Sequence, residues 1–129
     1  MVYNLAEYID QNTTLTINVN GFQPDSQDTV LCINEGSGNE RPWFDRQDTI
    51  IQILSRARDR TTARKNSYIA YDLIKKKYGL ELPSVMVGSD THSAVTTWAI
   101  RPVNMPQYAY DDDNGRAIYS FSVEITTTT

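Results

Sequence analysis

Alternation of apolar and polar side chains near the end of the chain is the feature that most restricts the possible folds. Within residues 116–126, apolar side chains occupy every second position, and they are Ala117, Tyr119, Phe121, Val123 and Ile125. A spacing of two is typical of a strand with one buried and one solvated face. Antiparallel sheets are the ones that commonly leave one face in water. The sequence therefore predicts a largely antiparallel sheet that is covered on one side.

Other segments supply the remaining layers of such a domain. Further strands are expected near residues 14–20, 29–34, 49–58 and 94–101. Apolar residues three and four apart predict an N-terminal helix over residues 2–11 and a main helix over residues 61–78, which Gly79 would end in a left-handed conformation. We expect one α+β domain, residues 1–129, with a mostly antiparallel sheet of about five strands and two helices packed on one face.

Two connections carry candidate interface residues. Residues 35–47 predict a polar loop, in whose middle Trp43 and Phe44 are adjacent. Two large aromatic side chains there need an apolar surface, either this chain's own core or a neighbouring subunit. The run Asp111, Asp112, Asp113, Asn114, Gly115 predicts a hairpin turn, because Asn-Gly is the strongest short hairpin signal. Its carboxylates are a solvated tip or an acidic contact for a basic partner. The final residues, 126–129, are expected to fray.

Composition argues against catalysis and against a bound metal or cofactor. The chain has 129 residues with one Cys and one His, too few for a disulfide scaffold or a His/Cys metal cage. His92 lies in a polar loop with Ser and Asp, but no nucleophile elbow or phosphate-binding glycine motif accompanies it. The acidic turn does not fit a calcium loop, since Tyr110 and Phe121 would fall at ligand positions. We expect no enzyme activity and no cofactor.

No membrane or targeting segment is visible in the sequence. No apolar run approaches the roughly 18 residues that suggest a membrane span, and the first residues lack the basic and apolar regions of a signal peptide. We expect a chain that is made in the cytoplasm and has no membrane partner.

Charge is distributed very unevenly along the chain. The formal net charge is −4. Eight bases against two acids give the segment 56–77 a charge of +6, whereas four bases and fourteen acids leave −10 for the rest. Its candidate interface bases are Arg56, Arg58, Arg60, Arg64, Lys75, Lys76 and Lys77.

Three interpretations fit this pattern. The basic segment could be a solvated helix face whose last lysines complement the helix dipole. It could be a nucleic-acid patch, although we expect no aromatic side chains interleaved with its bases and the rest of the domain is acidic. It could also serve self-association, in which the basic face of one subunit meets an acidic face of the next and a ring closes. We prefer self-association to nucleic-acid binding.

Specific stretches resemble small structural proteins of tailed bacteriophages. The strand DTIIQILSRARD (residues 48–59) and the helix segments TAR (62–64) and YIAYDLI (68–74) are similar to those of minor capsid and tail-terminator proteins at the head–tail junction. Pro106, the turn DNGR (113–116) and the strand YSFSV (119–123) are similar to their final hairpin. By element order, the resemblance covers residues 15–126.

The resemblance implies a virion protein of the neck or tail, assembled in the host cytoplasm. Proteins of this family form rings, usually six-fold, that stop growth of the tail tube and join the tail to the head connector. DNA passes through their lumen without being read. The segment Arg41-Pro42-Trp43-Phe44 lies where such proteins carry an extended loop, which implies an intersubunit contact. The alternative is a small cytoplasmic nucleic-acid-binding domain that uses the basic segment 56–77.

Overall fold

One large sheet and two helices make up most of the protein. The computed structural model describes residues 1–22, 27–41 and 45–128. Its elements in chain order are α1 (Val2–Asn12), β1 (Ile17–Val19), β2 (Val30–Arg41), β3 (Arg46–Ala57), α2 (Arg60–Ile74), β4 (Lys77–Tyr78), β5 (Glu81–Leu82), β6 (Val85–Val87), β7 (Asp90–His92), β8 (Val95–Pro102), β9 (Gln107–Asp111) and β10 (Ala117–Thr128).

The alternating strand of the sequence, β10, lies in the middle of the sheet. It pairs antiparallel with β3 along one edge, from Ala117 opposite Ala57 to Thr128 opposite Arg46. Its other edge pairs antiparallel with β9 near its start and with β8 further along. The expected α+β domain with a mostly antiparallel sheet is therefore confirmed.

The number of strands was underestimated. The described residues form an eight-stranded sheet in the order β1-β2-β3-β10-β8-β4, in which β5 also pairs with β8 and β9 with β10. The expectation of about five strands was wrong because β4, β5 and β9 have only two to five residues. Strands of that length show no alternation long enough to detect. One pairing, β1 with β2, is parallel.

A second correction concerns the connection between β2 and β3. The polar loop expected over residues 35–47 is mostly strand, because β2 runs to Arg41 and β3 begins at Arg46. Gly36 allows the two strands to approach, since a Cβ atom there would lie 2.3 Å from the carbonyl oxygen of Ile50. A polar glycine-containing run was interpreted as a loop, but its backbone pairs with β3 as far as Arg41 opposite Arg46. The expected fraying is wrong too for Thr126 and Thr127, which are buried and paired.

The main core joins both helices to one set of alternating strand positions. It contains Leu5 and Ile9 from α1, Ala70 and Ile74 from α2, and the odd-numbered side chains of β2, β3 and β10 such as Phe121. Even-numbered positions of the same strands form a smaller cluster of Cys32, Leu54 and Ile118, against which Phe22 packs. The alternation in the sequence thus corresponds to two clusters of side chains, the odd-numbered ones in the main core and the even-numbered ones in the smaller cluster.

Local interactions set the ends of α2. The Asp59 carboxylate caps its first turn by accepting hydrogen bonds from the backbone N–H groups of Thr61 (2.9 Å) and Thr62 (3.2 Å). The helix ends at Ile74, before the expected boundary at residue 78, because Lys75 is extended and Lys76 has a φ of +52°. Neither described helix is long and apolar enough to cross a membrane.

Candidate functional site

Two tyrosines lie between cations along one side of α2. The guanidinium carbon of Arg64 lies 4.8 Å from the centre of the Tyr68 ring, and the Lys75 Nζ lies 5.4 Å from that of Tyr71. At the start of the helix, Arg60 lies over Tyr108 of β9 at 3.9 Å. Spacings of three and four put these helix residues on one side of α2. We call Arg60, Arg64, Tyr68, Tyr71 and Lys75 the α2 stripe.

The aromatic part of the α2 stripe is anchored in the core. Tyr68 and Tyr71 meet edge to face, with ring centres 5.9 Å apart. Tyr71 in turn meets the fully buried Phe121 ring at 5.6 Å. Rings held in this way have little freedom to lose when a partner binds, which favours recognition by a preorganised surface.

This arrangement corrects an expectation about the basic segment. Aromatic residues were not expected among its bases, yet Tyr68 and Tyr71 lie between its cations and Tyr108 adds a third ring. The helical spacing of the first two could have been read from the sequence. The position of Tyr108 could not, because it depends on the pairing of β9 with β10.

Arg56 has a different environment from the other candidate bases. Its side chain is buried, and its Nη2 donates a 2.8 Å hydrogen bond to the backbone carbonyl of Gln27. Its Nε donates to the carbonyl of Asp28 at 3.3 Å, and its guanidinium lies 4.4 Å from the centre of the Phe22 ring. Arg56 therefore holds the segment before β2 against the sheet through hydrogen bonds within the subunit.

Arg58 begins a chain of ion pairs that ends in the acidic turn. Its Nε lies 2.5 Å from Oδ2 of Asp28, whose Oδ1 is 3.3 Å from Nη1 of Arg116. The Nε of Arg116 lies 2.8 Å from Oδ2 of Asp112. One base of the candidate set and one acid of the turn are thus connected within a single subunit through Asp28 and Arg116.

Asp112 also organises the turn itself. Its Oδ1 accepts hydrogen bonds from the backbone N–H groups of Asn114 (3.0 Å) and Arg116 (2.8 Å). These bonds hold Asp111 and Asp113 on either side of it, and both are exposed. The described residues place no ion-pair partner next to these two carboxylates. The turn is held by the Asp112 hydrogen bonds and presents two carboxylates without an ion-pair partner among the described residues.

Two carboxyl groups of these ion pairs, Asp28 and Asp112, have lowered pKa values, which predict a pH dependence of stability. A hydrogen bond from Arg58 is the main cause that lowers the pKa of Asp28. Burial alone would raise the pKa of Asp112, but hydrogen bonds from Arg116 and Asn114 lower it overall. A pKa that is lower in the folded state contributes stability above the ordinary Asp value of 3.8, and this stability is lost as pH falls through the folded-state pKa.

We therefore expect the melting temperature of Asp112→Asn to fall less than that of the wild type when pH is lowered from neutral to about 3. Thermal unfolding followed by circular dichroism at a series of pH values measures this. Asp113→Asn is the control, and it should keep the wild-type dependence. Parallel wild-type and Asp112→Asn curves would contradict the assigned role of the carboxylate.

The last candidate bases lie at the other end of α2. Lys75 forms an ion pair with Asp72 at 3.0 Å, which raises the pKa of its ammonium group. Lys76 is exposed, whereas Lys77 is half-buried in β4 opposite Ile100. Trp43 and Phe44 lie outside the described residues. Some candidate bases therefore bind other groups of the same subunit, as Arg56, Arg58 and Lys75 do, whereas Lys76 remains exposed.

A polar network lies on the even-numbered face of the sheet, away from the main core. The Arg101 guanidinium hydrogen-bonds both Glu124 and Thr126, and the Thr126 hydroxyl donates a 2.5 Å bond to Asp48. Further along, Arg46 lies 3.3 Å from the centre of the half-exposed Trp98 ring. These residues were not among the candidates from the sequence, because their contacts join three strands that are distant in sequence.

The residues that were considered for chemistry in the sequence have simple surroundings in the described ranges. His92 contacts the Tyr3 ring at 5.0 Å. No group of three or more His, Cys, Asp or Glu residues in the described ranges could hold a metal ion. A depression of about 200 Å³ between α2 and the segments that lead into β1 and β2 is lined by Thr14, Gln27, Asn66 and neighbouring residues without an ionisable side chain.

Comparisons with known proteins do not identify a relative from which the role of these residues could be inferred. No family model matches the chain, and no curated protein matches it significantly.

Proposed function

We propose that this chain is a structural, non-enzymatic subunit of a bacteriophage neck or tail. In this role it is the tail terminator, whose six-fold ring caps the tail tube and joins the tail to the head connector, and DNA passes through the lumen. Its partners are copies of itself, the tube protein and the connector proteins, and its location is the virion. The resemblance of residues 48–74 and 113–123 to this family supports the assignment.

The observation that carries the proposal is the charge left over after pairing inside the subunit. Arg56 and Arg58 are bonded to the segment before β2, and Lys75 is paired with Asp72. Arg64, Lys65 and Lys76 remain exposed on or just after α2. The exposed carboxylates of Asp111 and Asp113 lie on a separate part of the subunit. Surfaces of opposite sign on one subunit are suited to head-to-tail contacts that close into a ring.

The architecture suits a ring subunit in a second respect. In the proposed arrangement both helices cover one face of the sheet, and the polar even-numbered face is left for the lumen or for a neighbouring subunit. Beyond Ile33 no described strand pairs with the outer edge of β2. An open strand edge of this kind is a template for contact with another chain.

Assembly of the purified protein tests the proposal. We expect rings in negative-stain electron microscopy and a multimeric mass in light scattering at micromolar concentration. Added tail tubes should acquire the protein at one end. A strictly monomeric protein that also fails to bind tube ends would refute the assignment.

The α2 stripe supports a second candidate function, the binding of single-stranded nucleic acid. Cations next to aromatic rings are the usual components of such surfaces. Binding through phosphates would weaken steeply as salt increases. An electrophoretic shift with single-stranded DNA at low salt, lost in Arg64→Glu/Lys65→Glu, would favour this function. The absence of any shift would eliminate it.

A further inference from the structure

The exposed part of α2 carries one apolar side chain beside a cation, and a second cation lies further round the helix. Ile69 is 38% exposed and lies four residues after Lys65 and five after Arg64. Neither Arg64 nor Lys65 has a carboxylate partner among the described residues. An apolar centre with a charged rim is the usual composition of a protein–protein contact.

The hairpin between β9 and β10 carries the complementary pattern. Tyr110 is 52% exposed at the end of β9, immediately before the exposed Asp111. Asp113 follows on the other side of Asp112, whose hydrogen bonds fix the shape of the turn. The hairpin end therefore presents one aromatic ring and two free carboxylates on a rigid support.

Within one subunit, the described residues form no ion pair between the hairpin carboxylates and Arg64 or Lys65. Tyr110 lies opposite Ile118, whose side chain belongs to the even-numbered cluster, whereas Ala70 and Ile74 of α2 belong to the main core on the odd-numbered side. The hairpin touches α2 at its first residue, where Tyr108 lies under Arg60. Ile69 is nine residues further along, about 13 Å at 1.5 Å per residue.

Nucleic acid fits the α2 surface less well than an acidic protein surface. Each tyrosine ring of the α2 stripe already has an aromatic or cationic neighbour, with Arg64 over Tyr68 and Lys75 over Tyr71. A stacked base would have to displace these cations, whereas a carboxylate can bind their free N–H groups with the rings in place.

We infer that the hairpin end of one subunit docks on α2 of a second copy of this chain. Tyr110 packs on Ile69, and Asp111 and Asp113 pair with Lys65 and Arg64. The contact is head-to-tail, so that every subunit uses its hairpin on one neighbour and its helix on the other. This inference rests on the proposed ring function, for which it names the subunit contact.

Charge reversal on each side tests the contact. We expect Asp111→Lys/Asp113→Lys and Arg64→Glu/Lys65→Glu each to raise the concentration needed for half-assembly by about 100-fold, because each variant opposes like charges across the interface. An equimolar mixture of the two variants restores opposite charges at every contact and should assemble like the wild type. Light scattering over a dilution series measures both effects.

The matched control for the hairpin variant is Glu81→Lys/Asp90→Lys. It changes the net charge by the same amount as Asp111→Lys/Asp113→Lys, but at exposed acids outside the proposed contact. It should assemble like the wild type. All exchanged side chains are exposed, and thermal unfolding verifies that each variant is folded.

The outcomes separate the contact from the function. If both interface variants form wild-type rings, the contact is wrong and the ring function stands. If the wild type itself neither assembles nor binds tube ends, both are wrong. Retained nucleic acid that is lost in Arg64→Glu/Lys65→Glu would assign the α2 surface to nucleic acid and overturn the contact.

Discussion

Phe121→Ala is expected to lower the free energy of unfolding by about 3–5 kcal/mol. The side chain is fully buried on the central strand β10, opposite Ile53 of β3 and edge-on to Tyr71 of α2. Truncation removes a ring from the junction of sheet and helix and leaves a cavity that the paired strands cannot easily close. A domain of this size has a total stability of roughly 5–15 kcal/mol, so the loss is a large part of it.

Urea denaturation measures this effect as a shift of the unfolding midpoint with little change in slope. Phe121→Leu is the conservative comparison, since it keeps most of the buried volume and should cost far less. Tyr110→Ala is the matched control on the neighbouring strand, where the half-exposed ring contributes little to stability. Equal midpoints for Phe121→Ala and Tyr110→Ala would contradict the assigned core.

Arg56→Ala is expected to cost about 2–3 kcal/mol of stability, whereas Arg58→Ala should remain close to the wild type. The Arg56 guanidinium is buried, donates to the carbonyls of Gln27 and Asp28, and covers the Phe22 ring. Its removal leaves those carbonyls without their donor and exposes part of the ring. Arg58 makes its ion pair with Asp28 at the surface, where water replaces the lost contact.

Thermal or urea unfolding of the two alanine variants gives the comparison directly, because both substitutions remove one positive charge from the same strand end. Hydrogen exchange adds a local readout, in which the amides of Asp28 and Thr29 should exchange faster in Arg56→Ala. Two variants of equal stability would show that Arg56 does not fasten the segment before β2.

Prediction of the fold from sequence succeeded where a pattern is long. The alternation over residues 116–126 and the helical spacings before Asn12 and before Ile74 each repeat several times, so the period of two or of 3.6 is unambiguous. The short strands β4, β5 and β9 contain too few residues to show a period. Their pairing depends on neighbours that are distant in the chain.

Prediction of the candidate site failed in a different way. The sequence identifies Arg56, Arg58 and Asp112 as charged, but it does not state which charge another part of the chain will neutralise. Asp28 and Arg116 were not among the candidates, and yet they connect the basic strand end to the acidic turn inside one subunit. Tyr108 likewise reaches Arg60 only because β9 pairs with β10.

The sequence by itself determined the α+β class, the alternating last strand and the separation of basic and acidic segments, because local periodicity and charge are properties of neighbouring residues. Only the tertiary structure decided which of those charges are left for a partner. Ion pairs and burial depend on contacts between residues such as Asp28 and Arg116, which are 88 positions apart. Arg56 and Arg58 have the same side chain and are two positions apart, at the end of β3 and just after it. Arg56 is buried and hydrogen-bonded to two backbone carbonyls, whereas Arg58 remains a surface charge, because their surroundings in the folded protein differ.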